Sequence, residues 1–255
     1  MRKHLVIPDC QVKLGISLEH LLWLGQYIVD KKPDVIIQIG DFADMESLSS
    51  YDVGKKSFEG RRYLNDILSA RNGMDILLKP LNDFNTQARK DKHKIYKPRL
   101  VLTLGNHENR ITRAIESDPK LDGTLSLANL EYEKAGWEVI PFLTPISIDG
   151  ITYAHYFPSG PKGWPCRSAR AILNTYHTSC FAGHQQGRDI AYAKQGTEHP
   201  ITAIIAGSFY QHDEQYLNGF TNRHWRGVYM LHEVENGSFD EMAVSLGYLR
   251  RKYGE

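Results

Sequence analysis

Short apolar runs recur along the chain and are separated by polar segments. The runs are HLVIP (4–8), DVIIQIG (34–40), RLVLTLG (99–105), GITYAHY (150–156), TSCFAGH (178–184) and ITAIIAGSF (201–209). Short runs of this kind, bounded by polar residues and rich in β-branched side chains, are typical of buried strands. We therefore predict a strand at each of these six places.

A helical pattern separates the first two runs. The segment SLEHLLWLGQYIVDKK (17–32) carries apolar residues at Leu18, Leu21, Leu22, Leu24 and Ile28. This spacing predicts an amphipathic helix, with the serine at position 17 as its N-cap and lysines in its last turn. A strand, a helix and a second strand in this order predict a β-α-β unit.

The later part of the chain is rich in predicted strands. Asp149-Gly150 and Asn236-Gly237 each lie between two alternating runs, and such pairs are strong hairpin signals. Hairpins join antiparallel strands, so the sheet is mixed rather than purely parallel. The fold class that follows is α/β.

Residues 54–99 differ from the rest of the chain, with 12 basic residues against 5 acidic ones. An apolar stripe at alternating spacings of four and three predicts helix there; it comprises Tyr63, Ile67, Ala70, Met74, Leu77, Leu81, Phe84 and Ala88. Gly73 and Pro80 predict a kink or a break, and hence a helical pair. The stripe either packs on the parent domain behind a solvated basic face, or the segment binds a substrate or partner.

Composition narrows the class of protein. A chain of 255 residues that is 41% hydrophobic and 24% charged is an ordinary globular protein of one large or two small domains. With 31 basic and 30 acidic residues, its net charge of +1 gives no overall bias toward nucleic acid or membrane. The apolar stretch near the amino terminus is too short for a signal peptide or a membrane span, so we expect a cytoplasmic protein. Cys10, Cys166 and Cys180 lack paired spacing and are expected to be free thiols.

Metal-capable side chains follow five of the predicted strands. They are Asp9 and Gln11, then Asp41 and Asp44, then Asn106, His107, Glu108 and Arg110, then His155, and finally His184, Gln185 and Gln186. A single histidine at a strand end is more often structural. Five such ends together are better explained by a site for a divalent ion such as Mn²⁺, Fe²⁺ or Zn²⁺, which accept carboxylate, amide and imidazole ligands. Glycines before Asp41, Asn106 and His184 suit tight turns at such a site.

This pattern resembles the calcineurin-like metallophosphoesterases. Their signature of D-x-H, G-D-x-x-D, G-N-H-[DE], a single H and G-H-x-H corresponds here to Asp9-Cys10-Gln11, Gly40-Asp41-Phe42-Ala43-Asp44, Gly105-Asn106-His107-Glu108, His155 and Gly183-His184-Gln185-Gln186. The resemblance covers nearly the whole chain, with residues 45–98 as an insertion. It implies one domain over residues 1–255, built as two packed mixed sheets flanked by helices.

The resemblance also implies two divalent metal ions, with Mn²⁺ expected and iron, Zn²⁺ or Mg²⁺ as alternatives. Asp41 would bridge the ions, with Asn106, His155 and His184 at one of them and Asp9, Gln11 and Gln186 around the other. A bridging water would attack phosphorus, and His107 would stabilise or protonate the leaving oxygen. Glu108 would orient its neighbours. Arg110 would either meet a phosphate oxygen or pair with an acid.

Gln11 and Gln186 stand where the family usually has histidine. Amide oxygen is a weaker and harder ligand than imidazole nitrogen, so the ion beside Asp9 is expected to bind more weakly or not at all. Some members of the family do carry D-x-Q. The chain is thus expected to be either an active D-x-Q variant or a degenerate binding module that has lost one metal.

The surrounding residues favour some substrates over others. Asp44 is followed by MESLS and His155 by YFPSGPKGWP, unlike the protein phosphatases of this superfamily. The second loop offers Tyr156, Phe157, Lys162 and Trp164, which either face a nucleotide base or pack beneath the loop. With Arg110 and Tyr156 as substrate-binding candidates, we predict hydrolysis of nucleotide or nucleic-acid phosphodiesters, or alternatively of small phosphomonoesters. No membrane partner is expected, and the helical insertion is a candidate homodimer contact.

Overall fold

The computed structural model describes residues 1–194, 200–213 and 224–254. Its first sheet contains β1 (Arg2–Ile7), β2 (Val35–Gln38), β3 (Arg99–Thr103), β4 (Glu138–Ile140), β12 (Gly227–Glu235) and β13 (Ser238–Ser245). The strand order is β13-β12-β1-β2-β3-β4. The four strands from β1 to β4 are parallel to one another, whereas β12 runs antiparallel to both β1 and β13.

The second sheet is mixed as well. It contains β5 (Ile146–Ile148), β6 (Ile151–Ala154), β9 (Ser179–Ala182), β10 (Arg188–Lys194) and β11 (Pro200–Ala206), in the order β10-β11-β9-β6-β5. The pairs β6-β9 and β9-β11 are parallel, and the outer pairs are antiparallel. A small hairpin, β7 (Pro158–Ser159) with β8 (Trp164–Pro165), lies between β6 and β9 in the sequence.

Helices cover the outer faces of both sheets. They are α1 (Glu19–Lys31), α2 (Tyr63–Lys90), α3 (Asn109–Ser117), α4 (Ala169–Tyr176) and α5 (Leu246–Tyr253). Short 3-10 turns occur at Glu46–Leu48, Lys56–Phe58, Pro119–Leu121 and Leu127–Leu130. The predicted α/β class, with two packed mixed sheets flanked by helices, is confirmed.

Side chains alternate across the strands, and this alternation builds the core. In β1, Val6 joins an apolar cluster with Tyr153, Phe181 and Ile204 of the second sheet. Its neighbour Leu5 instead joins the cluster formed with α1 and α2. Because successive residues of a strand point to opposite faces, a strand buried on both faces carries apolar residues at successive positions. This explains why the runs predicted as strands show no polar alternation.

Both predicted hairpin turns are confirmed. Asp149 and Gly150, between β5 and β6, have φ angles of 51° and 84°. Asn236 and Gly237, between β12 and β13, have φ angles of 49° and 84°. Two consecutive residues with positive φ make the turn that matches the natural twist of a hairpin.

The predicted N-cap of the first helix is wrong. The helix begins at Glu19 with Leu18 in the N-cap position, and no side chain caps it. The hydroxyl of Ser17 accepts the Glu19 N–H at the long distance of 3.4 Å. The serine therefore lies one residue too early to cap the helix, although the helix itself is where the pattern predicts it.

The prediction of a helical pair in residues 54–99 is also wrong, because α2 is one helix of 28 residues with Pro80 inside it. The stripe that the sequence identifies does face inward, and Ile67, Met74 and Leu77 are buried. A side chain at Gly25 of α1 would lie 2.8 Å from the Pro80 ring. The proline ring thus packs directly on the backbone of α1, and this helix contact compensates for the hydrogen bond that proline cannot make.

The state of the cysteines and the character of the helices can also be compared with the sequence predictions. Cys10, Cys166 and Cys180 are buried and free, as predicted. In the described ranges, no helix combines the length and the apolar character needed to cross a membrane.

Candidate metal centre

The candidate site lies where strand ends of the two sheets meet. Asp9, Asp41 and Asn106 follow β1, β2 and β3 of the first sheet, while His155 and His184 follow β6 and β9 of the second. The carboxyl ends of neighbouring parallel strands share one edge of a sheet, so their loops converge there. The structure therefore brings together residues that are up to 175 positions apart in the sequence.

The side chains at the centre of the site are in direct contact. Oδ1 of Asn106 lies 2.8 Å from Nε2 of His155 and 2.8 Å from Nδ1 of His184. Oδ2 of Asp41 lies 3.3 Å from Nε2 of His155. One ligand atom from each of Asp41, His155 and His184 falls within 4.8 Å of the other two. These three residues form a possible metal site.

Several residues of the site have left-handed backbone conformations. The φ angles are 44° at Gln11, 52° at Asp41, 67° at His184 and 57° at Gln186. Such conformations are uncommon for residues with a side chain and cost free energy, and they cluster at functional sites. Hydrogen bonds hold the first two in place, since the N–H groups of Cys10 and Gln11 both donate to the Asp41 carbonyl, at 3.0 and 2.9 Å.

Two of the glycines make room for acidic side chains. A Cβ atom on Gly105 would lie 2.0 Å from Oδ1 of Asp41, and one on Gly183 would lie 2.4 Å from Oδ1 of Asp9. Contacts this short are sterically impossible, so any side chain at either position would displace a carboxylate of the site. The predicted tight turns are present, and their glycines are required by this close approach.

Glu108 organises the backbone beneath the site. Its carboxylate is fully buried and accepts N–H bonds from Asp41 at 3.0 Å, Ala43 at 2.8 Å and Gly105 at 2.9 Å. A buried carboxylate needs such donors, because leaving it unpaired would be very unfavourable. Glu108 therefore fixes the loops after β2 and β3 relative to each other.

The second half of the site contains oxygens without partners. Asp9 accepts the His184 N–H through Oδ1 at 3.0 Å, but its Oδ2 is buried and has no hydrogen-bond partner among the described residues. The same is true of Oε1 of Gln11. Oε1 of Gln186, in contrast, accepts a hydrogen bond from the Tyr210 hydroxyl at 2.8 Å. Buried oxygens without donors are energetically costly and are the kind of atom that a bound cation satisfies.

His107 lies at the edge of this centre. Its backbone N–H donates to Oδ1 of Asp41 at 2.9 Å, and its Nε2 lies 3.7 Å from Oδ2 of the same carboxylate. On the other side of the ring, Nδ1 lies 2.9 Å from Oδ1 of Asp44. The imidazole is thus fixed between two carboxylates, and its Nε2 also lies 3.2 Å from Nη2 of Arg110.

Arg110 is engaged by the protein itself. It donates to the carbonyls of Asp44 at 2.9 Å and Met45 at 3.3 Å, and its NH1 lies 3.5 Å from Oδ1 of Asp44. Lys13 also pairs with Asp44, at 3.0 Å. Of the two roles considered for Arg110, these contacts match pairing with an acid.

The charges of the site are strongly coupled. Burial would raise the pKa of Asp41, but the adjacent His107 and His155 hold it below its ordinary value. Burial would lower the pKa of His155, yet the Asp41 carboxylate raises it to about 9. Burial and the neighbouring His155 lower the pKa of His184 to about 4. Burial raises the pKa of Asp9 to about 7. These shifts share one cause, which is the close packing of carboxylates and imidazoles in a buried site.

The aromatic residues of the loop after His155 differ in how far they are buried. Phe157 is fully buried, whereas the side chain of Trp164 is 68% exposed. The ring of Tyr156 is half-buried and packs 4.9 Å from the ring of His184 and 5.6 Å from that of Phe142. Phe157 thus packs beneath the loop, whereas Trp164 is exposed beside the site.

Two cavities adjoin the centre. The larger, of about 1060 Å³, has both acidic and basic residues in its wall, including Lys13, Asp44, Tyr51, Arg61, His107 and Arg110. The smaller, of about 390 Å³, is lined by Trp164, Pro165, Arg167, His184 and Gln185. The larger cavity therefore reaches the site on the side of His107, and the smaller one on the side of His184.

Two residues that contribute to the site, Lys13 and Tyr210, belong to no sequence motif. Asp44 does belong to one, as the last residue of Gly40-Asp41-Phe42-Ala43-Asp44, but its contact with His107 is not predicted by that motif. The place of Lys13 two residues after Gln11 is what the sequence offers to indicate that this lysine lies near the site. Tyr210 and Gln186 follow different strands and meet only in the folded protein, so no local pattern predicts their contact.

The residues present fit divalent metal ions. The converging carboxylate and imidazole atoms of Asp41, His155 and His184, and the partnerless buried oxygens of Asp9 and Gln11, form a mixed oxygen and nitrogen donor set. Borderline ions of the first transition row accept such ligands. The group of Asp41, His155 and His184 fits such ions better than the oxygens of Asp9 and Gln11 do, because it offers two imidazole nitrogens.

Comparison with protein-family models finds no match, and a search of curated proteins finds no significant one. Solved structures that match include YfcE, described as a phosphoesterase from E. coli, at 14% identity and a TM-score of 0.37 over 95% of this chain and 100% of that chain. The protein TT1561 of Thermus thermophilus matches at 9% identity and a TM-score of 0.39, over 95% of this chain and 98% of that chain. Similarity at this level is distant, and the chemistry of the site has to be argued from its own residues.

Proposed function

We propose that the protein is a metal-dependent phosphoesterase, more specifically a phosphodiesterase that acts on nucleotides or nucleic acid. The observation that carries this proposal is the convergence of Asp9, Asp41, Asn106, His155 and His184 at one edge of two packed sheets. The partnerless buried oxygens of Asp9 and Gln11 support it, because a cation would satisfy them.

The proposed ligands divide into two groups that share Asp41. Asn106, His155 and His184 would hold one ion, while Asp9, Gln11 and Gln186 would surround the other. When bound, two divalent ions hold the phosphoryl oxygens and lower the pKa of the attacking water. The protein contributes by fixing Asp41 between the two groups through the N–H of His107 and the turn built on Glu108.

His107 is proposed to handle the leaving group. As the water oxygen bonds to phosphorus, the bond from phosphorus to the leaving oxygen breaks, and Nε2 of His107 supplies a proton to that oxygen. The contact of Nδ1 with Asp44 orients the ring for this role. The larger cavity begins at His107 and has room for a sizeable leaving group, which favours diesters over small monoesters.

Mn²⁺-dependent hydrolysis of bis(4-nitrophenyl) phosphate and 4-nitrophenyl phosphate tests the proposal. We expect turnover of the diester to exceed that of the monoester, and Asp41→Asn to abolish it and weaken metal binding. His107→Ala should lower turnover by about 10²-fold or more while the metal content stays the same. Glu116→Gln, on the exposed face of α3, is the matched control. Metal binding without hydrolysis of either ester would instead indicate a binding module.

A further inference from the structure

The β7-β8 hairpin is firmly anchored at its base. Phe157 is fully buried, and its ring packs 4.9 Å from that of Tyr176. The N–H of Cys166 donates to the Phe157 carbonyl at 2.8 Å, and the Tyr176 hydroxyl donates to the Pro158 carbonyl at 2.9 Å. The side-chain amide of Gln185 also donates to the Cys166 carbonyl. The hairpin therefore holds its outer residues at a fixed place beside His184.

Trp164, in β8 of this hairpin, has an exposed indole side chain. Trp164 has 68% of its surface exposed, whereas Trp23 and Trp137 are 6% and 3% exposed and serve the core. The smaller cavity places Trp164 together with Arg167 and His184. An exposed aromatic ring on a rigid loop, beside a site of polar residues, is typical of a surface that stacks on a flat ligand.

Arg167 gives this cavity its positive charge. Its side chain is exposed, and no carboxylate lies within ion-pair distance of it in the described part of the chain. The cavity thus combines a flat apolar face with one guanidinium group, which suits a base that is joined to a phosphate.

The two cavities lie next to different residues of the proposed catalytic site, so each can hold a different part of a substrate. The larger cavity meets His107, which is proposed to protonate the leaving oxygen, and the smaller one meets His184, whose Nδ1 lies 2.8 Å from Oδ1 of Asn106. The group that leaves and the group that stays on phosphorus would therefore occupy different cavities. This assignment rests on the proposed function.

We propose that Trp164 and Arg167 form a subsite for the nucleoside that remains on the phosphoryl group after hydrolysis. The indole stacks on the base, and the guanidinium pairs with the phosphate. In the reaction, the water oxygen bonds to phosphorus, the bond to the other ester oxygen breaks, and that oxygen takes a proton. The products are a nucleoside monophosphate, held beside Trp164, and an alcohol released toward the larger cavity.

Calorimetric titration of the metal-free protein with adenosine and with AMP tests the subsite independently of hydrolysis. Trp164→Ala should weaken the binding of both ligands by about 5-fold or more, and Trp164→Phe should restore part of it. Arg167→Ala should weaken the binding of AMP but not of adenosine. Arg170→Ala, an exposed arginine outside the cavity, should change neither. Trp164 is exposed, so its replacement should not affect folding.

Tyr51→Ala separates the two cavities, because Tyr51 is an exposed aromatic residue in the wall of the larger one. Loss of nucleoside binding in Tyr51→Ala, with normal binding in Trp164→Ala, would overturn the assignment. The absence of adenosine and AMP binding in the unmodified protein would overturn it as well.

A pair of substrates tests the same subsite during turnover. Thymidine 5′-(4-nitrophenyl phosphate) and methyl 4-nitrophenyl phosphate release the same 4-nitrophenol and differ only in the group that stays on phosphorus. We expect kcat/KM to favour the thymidine ester by about 5-fold or more, and Trp164→Ala to bring the ratio of the two kcat/KM values close to one. Equal rates for both esters in the unmodified protein would contradict the subsite alone. Hydrolysis of neither would contradict the proposed function, and the adenosine titration would then decide the subsite.

Discussion

Nδ1 of His107 lies 2.9 Å from Oδ1 of Asp44 and 2.9 Å from the backbone carbonyl oxygen of the same residue. Both partners are hydrogen-bond acceptors, so Nδ1 carries a hydrogen, and Nε2 lies 3.2 Å from Nη2 of Arg110 and 3.7 Å from Oδ2 of Asp41. Burial opposes protonation of this ring, but Asp41 and the hydrogen bond to Asp44 together raise the pKa of His107. In the proposed reaction, Asp44 therefore sets the orientation of the ring and supports its protonated form.

Asp44→Asn should weaken acid catalysis without affecting the metals. A protonated His107 is the active form, so activity is lost as pH rises through its pKa. Removing the Asp44 charge lowers that pKa, and the alkaline limb of the pH-rate profile should shift to lower pH. We expect turnover at pH 8 to fall by about 10-fold. Mn²⁺ affinity should not change, as calorimetry would show.

Asp52→Asn is the matched control for this variant. Asp52 lies in the wall of the same cavity, but it pairs with Lys55 and Arg61 instead of His107. Its replacement should leave the pH-rate profile in place. An unchanged profile in Asp44→Asn would show that Asp44 does not act through His107.

Glu108→Gln should destabilise the fold rather than change the chemistry directly. Its carboxylate accepts three buried N–H groups, and an amide would present a donor to at least one of them. Leaving a buried donor unsatisfied costs about 1–3 kcal/mol, so the free energy of unfolding in urea should fall by that amount. The same change at the exposed Glu116 should have no measurable effect. Equal stability of the two variants would contradict the role assigned to Glu108.

His20 is expected to make stability depend on pH. It is fully buried in α1, and burial together with the neighbouring His212 lowers its pKa to about 3. The unfolded chain binds a proton at this residue below a pH of about 6.5, whereas the folded protein does not until a much lower pH. The stabilising contribution is therefore complete above a pH of about 6.5 and is lost progressively as pH falls from there toward the folded-state pKa of about 3.

Comparison with His20→Leu isolates this contribution. Between pH 6 and pH 4.5, the stability of the unmodified protein should fall relative to that of the variant by about 1.4 kcal/mol per pH unit. Urea unfolding at several pH values measures this difference. His93→Leu, at an exposed position, should show no such trend. A difference between wild type and His20→Leu that is constant with pH would contradict this explanation.

The strands and the gathering of side chains at their ends follow from local sequence. Runs such as DVIIQIG predict their strands because both faces of β2 are buried and Val35, Ile36 and Ile37 are apolar in succession. Once parallel neighbours are assumed, the carboxyl ends of their strands must meet, and Asp9, Asp41 and Asn106 are then brought together by topology.

Features that depend on tertiary packing could not be predicted in this way. Pro80 predicts a break, but its ring packs against the backbone at Gly25, and this contact overrides the local preference. Similarly, Phe157 and Trp164 belong to one loop and are equally apolar, yet one is buried and the other exposed. The grouping of Lys13, Asp44 and His107 depends on three separate loops, so no spacing in the sequence indicates it.

The two glutamines predict unequal metal sites. Gln11 and Gln186 offer amide oxygens where softer nitrogen ligands would bind more tightly, and the oxygen of Gln186 already accepts a hydrogen bond from Tyr210. We therefore expect the ion beside Asp9 to bind more weakly than the ion beside His155 and His184. Replacing both glutamines by histidine should tighten the weak site without necessarily raising turnover, because surrounding residues also tune a metal. Gln87→His, at an exposed position on α2, should leave both affinities unchanged.

Calorimetric titration of the metal-free protein with Mn²⁺ is the most direct test of the metal centre. The unmodified chain should show one tight site and one weaker site, and Asp41→Asn should weaken both by at least about 10-fold, because its carboxylate is proposed to serve both ions. Two equally tight sites would contradict the role given to the glutamines. No Mn²⁺ binding, or binding that Asp41→Asn leaves unchanged, would contradict the metal centre itself.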